Sequence, residues 1–152
     1  MSALLNYNIF EGVLLGTIGR KLIHITAMSG GGAGSKLHKA NFTANNPYMT
    51  GLKTITSKTG HQHGGPIPPG RYTIMKPGKH PHLGLSAELV PFGKLPLGGR
   101  GGFFIHGRGP HGSDGCIVPT HDDQFRELMQ ELEQSNGGSL IVQEEMSGNR
   151  FA

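Results

Sequence analysis

Short apolar runs broken by glycine and polar residues set the pattern of this chain. Leu4 to Phe10 and Val13 to Ile18 are two such runs, separated by Glu11-Gly12, and they predict a strand pair with a tight turn. Lys21 to Thr26 partly alternates and reads as a third strand. Ser29 to Ser35, with its glycines, reads as a flexible loop. Residues 36–63 are polar with little periodicity and read as an irregular excursion. Gly64 to Gly70 holds Pro66, Pro68 and Pro69, which fix φ and remove donors, so it reads as a rigid turn. Strands are predicted over Arg71 to Met75 and Leu85 to Val90, and Phe103 to Ile105 is a short β-prone run ending at His106.

One helix is predicted, and it comes late. Phe125, Leu128, Met129 and Leu132 recur at helical spacing and form one apolar face. Thr120 is the expected cap, with Asp123 completing a capping-box-like pattern, and Asp122 and Asp123 suit the positive end of the helix dipole. Asn136-Gly137-Gly138 stops the helix, and Ser139 to Gln143 follows as a last strand. The expected fold is mainly β, a sandwich or barrel carrying one amphipathic helix.

A length of 152 residues fits one domain, residues 1–152, with one core. The 26 glycines lie between apolar runs rather than in a repeat, which suits a turn-rich β protein better than a disordered one. No segment is long and apolar enough to span a membrane. Met1 to Phe10 lacks the basic start and apolar stretch of a signal peptide, so synthesis in the cytoplasm without a cleavable export signal is expected. Residues 1–116 carry 12 Lys and Arg against 3 acids, whereas residues 117–152 carry 2 against 7. The bases are scattered and form no run, so nucleic acid is not an expected partner.

Chemistry concentrates in His106-Gly107-Arg108-Gly109-Pro110-His111-Gly112-Ser113-Asp114-Gly115-Cys116. Cys116 is the single cysteine, so no internal disulfide exists. A cysteine attacks as its thiolate, and a nearby imidazole can take the proton. His106 and His111 both qualify, and His106 is favoured because it closes a strand and is held rigidly. Gly115 leaves room for a carbonyl substrate, and the N–H groups of Gly115 and Cys116 are candidate oxyanion donors. Arg108 suits a substrate carboxylate. His111 and Asp114 are further candidates for substrate contact.

The pattern His-x6-Ser-x-Gly-Cys formed by His106, Ser113, Gly115 and Cys116 resembles the active-site signature of the L,D-transpeptidases, most closely the small type VI secretion effectors among them. The segment Gly65-Pro66-Ile67-Pro68-Pro69-Gly70-Arg71-Tyr72 is similar to the strand entry of that family, and Tyr7 to Gly12 looks like the start of the effector group. Asp114 and Ile117-Val118 depart from the larger family, which has a His before Gly-Cys and often Arg or Asn after it. The resemblance implies Cys116 as nucleophile, His106 as base, Ser113 as a residue that orients the site, and Tyr72 as a substrate contact. It implies attack on the bond between meso-diaminopimelate and D-alanine in peptidoglycan tetrapeptide stems, with release by water or exchange with a D-amino acid. It also implies delivery by a type VI secretion component into a target periplasm, a cognate immunity protein, and no cofactor or metal.

Two rival readings remain. His61-Gln62-His63 and His80-Pro81-His82 are His-x-His pairs of the kind zinc hydrolases use, although no His-Glu-x-x-His is present. His121 is taken as a surface or capping residue. Alternatively Cys116 is a buried structural residue in a non-catalytic binding module. A reactive thiol with a depressed pKa favours the enzyme, and an inert one the module.

Overall fold

The computed structural model describes residues 2–93, 97 and 99–144. Its strands are β1 (Ala3–Asn8), β2 (Val13–Ile18), β3 (Lys21–Ser29), β4 (Ile55–Ser57), β5 (Gly60–Gln62), β6 (Gly70–Ile74), β7 (Gly78–His80), β8 (Gly84–Pro91), β9 (Phe103–His106), β10 (Ile117–Pro119) and β11 (Gly138–Gln143). The one α-helix among the described residues, α1, spans Asp122–Ser135. Pairing runs β6-β11-β1-β2-β3-β10-β9-β8, and β6 pairs again with β8, so the sheet closes into a barrel. Closure leaves few open edges for another chain to pair with. β7 adds a short strand along the part of β8 that β6 leaves open.

Alternation drives this arrangement. In β1, Ala3, Leu5 and Tyr7 are buried while Leu4 is exposed, and in β11 Leu140 and Val142 are buried while Ile141 is exposed. One face of each strand therefore fills the barrel. Two neighbour pairs are parallel, β1 with β11 and β9 with β10. The second pair carries the candidate site.

Helix α1 buries Leu128, Met129 and Leu132 in the same core, with Phe125 packed at its margin. The expected cap moves by one residue. His121 occupies the N-cap without a side-chain bond, because the Thr120 N–H is still paired with the Thr26 carbonyl as a continuation of β10. Asp122 and Asp123 lie in the first turn as predicted. At the other end Asn136 turns left-handed (φ 60°), and Gly137 N–H returns to the Leu132 carbonyl at 2.9 Å.

Three expectations need correction. The excursion at 36–63 contains a 3-10 turn (Pro47–Met49) and the hairpin β4–β5, whose residues are all exposed and so leave no hydrophobic period. Strand β7 was also not anticipated. The glycine-rich loop after β3 is not flexible: Gly30, Gly31, Gly32 and Ala33 are buried and bonded on several sides.

Candidate active site

The site is built where β9 and β10 run side by side. Ile105 and Ile117 pair in parallel register and both point into the core. Cys116 lies one residue before this pair on one strand, and His106 one residue after it on the other. Side-chain alternation turns both positions away from the two core isoleucines. No hydrogen bond joins imidazole and thiol in this resting arrangement. The thiol donates weakly to the Gly102 carbonyl at 3.8 Å and receives the Phe104 backbone N–H.

His106 is nearly buried, with 6% exposure. Its Nδ1 lies 2.8 Å from the Gly107 carbonyl. A carbonyl only accepts, so Nδ1 carries the proton and Nε2 is left as the basic nitrogen. Gly107 in turn packs against Phe125, whose ring occupies the space a Cβ would need. The helix thus braces the residue whose carbonyl orients the His106 ring. Burial lowers the His106 pKa, the Gly107 carbonyl opposes this, and the nearby His80 lowers it further. The ring is therefore neutral at pH 7.

The thiol does not show the expected depression. Burial pushes Cys116 up to about 11; the Phe104 N–H pulls it down, the Asp114 charge raises it, and Arg100 lowers it. Cysteine and histidine both rest neutral, and by the criterion of thiol pKa alone the raised value falls on the side of the buried-cysteine module.

Ser113 is fully buried and ties the nucleophile loop together. Its Oγ accepts from Gly30 N at 2.9 Å and from Gly115 N at 3.0 Å, and donates to the Cys116 carbonyl. The loop after β3 is the cradle for this hub. Gly32 N donates to the Ser113 carbonyl, and Ser113 N donates to the Ala33 carbonyl, each at 2.8 Å. Gly112 (φ 82°) has no room for a Cβ, which would fall 2.2 Å from the Gly32 carbonyl.

Gly115 plays a different part from the one expected. Its φ is 132°, and a Cβ there would meet Phe103 at 2.6 Å and Arg100 at 2.7 Å. A side chain there would collide with both, so close packing requires glycine at this position. Its N–H donates to Ser113 at 3.0 Å and so is engaged within the loop.

Two further residues were missed. Ser29 Oγ donates to the Gly115 carbonyl and accepts from Ile67 N, both at 2.9 Å. Arg100 donates to the carbonyls of Thr50, Pro66, Gly65 and Asp114, with its guanidinium 5.3 Å from the Phe103 ring centre. Burial lowers its pKa, opposed by Tyr72, Asp114 and Cys116. An isolated arginine among glycines gives no signal in sequence, and neither does a serine at a strand end.

Arg108 and His111 are exposed and line a pocket of about 290 Å³ with His106, His82 and Leu83. Cys116 is not among its lining residues. Asp114 is half-buried and turned to the hairpin, where His61 and His63 engage its carboxylate at 3.1 and 2.7 Å. Tyr72 is a correction: it is fully buried and donates to the Pro68 carbonyl at 2.8 Å, so it anchors the proline turn and presents no face to a substrate.

A closed barrel with one helix, with His106 ending one strand and Cys116 directly preceding its parallel neighbour, has an L,D-transpeptidase-like fold. The fold is similar to an L,D-transpeptidase from Xylanimonas cellulosilytica DSM 15894, with TM-score 0.54, 15% identity, and coverage of 93% of this chain and 60% of that one. It is also similar to a mutant of the helical cell shape determining protein Pgp2 from Campylobacter jejuni, with TM-score 0.53, 14% identity, and coverage of 96% and 48%. The chain therefore spans about half to three fifths of the length of these structures. A comparison with curated proteins returns no match. The model of the Tlde1 domain matches residues 52–143, a stretch that contains both His106 and Cys116. The chain belongs to this family, the type VI secretion L,D-transpeptidase effectors.

Proposed function

We propose that residues 1–152 form one catalytic unit, a cysteine enzyme that cuts or exchanges the terminal D-alanine of peptidoglycan tetrapeptide stems. The observation that carries this reading is that His106, the last residue of β9, and Cys116, the residue before β10, flank the paired Ile105 and Ile117, with the His106 Nδ1 proton held by the Gly107 carbonyl. Membership of the effector family supports the substrate class and the type VI route.

Cys116 Sγ attacks the carbonyl carbon of the diaminopimelate–D-alanine bond while His106 Nε2 takes the thiol proton. Negative charge gathers on the carbonyl oxygen, for which the Cys116 N–H is the proposed donor. Collapse breaks the C–N bond, and the imidazolium returns the proton to the departing amine of D-alanine. Water or the amine of a free D-amino acid then attacks the thioester, His106 takes its proton, and the thiol is restored. Arg108 and His111 bring positive charge or donors to the stem's carboxylates from the pocket beside His106. In a target periplasm either outcome removes the donor stems used for crosslinking. A delivery component and an immunity protein are the partners this role requires.

The test is incubation with tetrapeptide muropeptides, with and without D-methionine, read by mass spectrometry. Wild type should yield tripeptide or exchanged stems and Cys116→Ala neither. Equal product from both proteins refutes the thiol mechanism.

A further inference from the structure

We propose that His61, His63 and Asp114 bind one divalent transition-metal ion of the zinc class, which clips the β4–β5 hairpin to the nucleophile loop. Cys116 and His106 are not among its ligands. His61 Nε2 lies 3.1 Å from one Asp114 oxygen, and His63 Nδ1 lies 2.7 Å from the other. One ligand atom from each residue falls within 4.8 Å of the others. An ion held at about 2.0–2.1 Å from nitrogen and oxygen sets tetrahedral ligand atoms about 3.4 Å apart, so these three side chains reach that spacing by shifts of about an ångström, with a fourth position open to water. Two imidazoles and one carboxylate suit zinc, cobalt or nickel, and do not suit magnesium or calcium.

The surroundings have the form of an outer shell. Thr56 Oγ1 lies 3.0 Å from His61 Nδ1, the ring nitrogen turned away from Asp114. Gly64 N–H donates to Asp114 Oδ1 at 3.2 Å. The His63 ring rests against Gly32, where any Cβ would come within 2.9 Å of it. Such partners fix ligand orientation before an ion arrives. The second His-x-His pair does not take part: His80 Nδ1 accepts from His82 N and Leu83 N and closes a turn.

The hairpin also needs an anchor. β4 and β5 form a two-stranded sheet of their own with every residue exposed. An isolated hairpin of this kind is marginal in water. Its link to the barrel through His61 and His63 ends on Asp114, two residues before Cys116.

The experiment uses the full chain carrying Cys116→Ala, so that the thiol cannot compete for metal. The metal-stripped protein is titrated with zinc chloride by calorimetry, and its melting temperature is recorded with and without zinc. One equivalent should bind and raise the melting temperature. His61→Gln with His63→Gln should weaken binding by at least about tenfold, and should abolish the zinc-dependent rise measured against the variant's own metal-free melt. If the double variant does not fold, His61→Gln alone, at an exposed position, must show the same loss. Failure of the parent to take up zinc, or variants that bind as tightly as the parent, overturns the assignment.

Discussion

Replacing Ser113 with alanine removes one oxygen that satisfies three backbone groups. Gly30 N–H and Gly115 N–H lose their acceptor, and the Cys116 carbonyl loses its donor. Ser113 and Gly115 are both buried, and alanine offers nothing in exchange. Each orphaned buried group costs about 1–3 kcal/mol, and partial relaxation makes the three together worth about 2–5 kcal/mol. For a chain of this size that is a fall of roughly 5–15 °C in melting temperature. The same hub sets the angle at which Cys116 leaves the loop, so turnover should fall by about 10²-fold, as for misplacement of a reacting atom by about an ångström. The assay pairs thermal denaturation by circular dichroism with muropeptide turnover under saturating substrate. Cys116→Ala is the reference, since it should abolish turnover without a comparable fall in melting temperature. A Ser113→Ala protein that melts within about 2 °C of wild type and turns over normally would refute the hub.

Because burial lowers the His106 pKa, the acid limb of kcat/KM should have its midpoint below pH 6.5, and no alkaline limb should arise from the thiol until near pH 11. The same depression makes the neutral ring a stabilising feature that is present above the unfolded value and lost as pH falls through the folded one, so urea midpoints should drop below pH 6.5 in wild type and less in His106→Gln. The raised thiol pKa predicts slow iodoacetamide labelling of the free protein at pH 8, accelerating towards pH 11; fast labelling at pH 8 would contradict it. Arg100→Lys should lower the melting temperature by several degrees, because a single ammonium cannot reach the carbonyls of Thr50, Gly65, Pro66 and Asp114 together.

What could be read in advance follows a physical line. Strands with one buried face, such as β1 and β11, and the helix face of Leu128, Met129 and Leu132 show their period in the sequence. The β4–β5 hairpin buries nothing and so shows none. Glycine has the same letter whether it permits motion or a tight left-handed turn, and this is why the loop holding Gly30, Gly31 and Gly32 read as flexible when it is a buried cradle. The His106 to Cys116 motif was legible as a pattern of residues. Its dependence on Ser29 and Arg100 was not, because those residues act through backbone carbonyls brought close only by the closed barrel.

The seam between β1 and β11 has a further consequence. Residues 3–8 pair along their length with residues 138–143, so β1 lacks a permanent neighbour on that side until residue 143 has been made. Such long-range pairing folds late and slowly. The ring cannot close before β11 leaves the ribosome, and cuts that remove residues beyond Gly137 should leave it open along a strand edge prone to self-association.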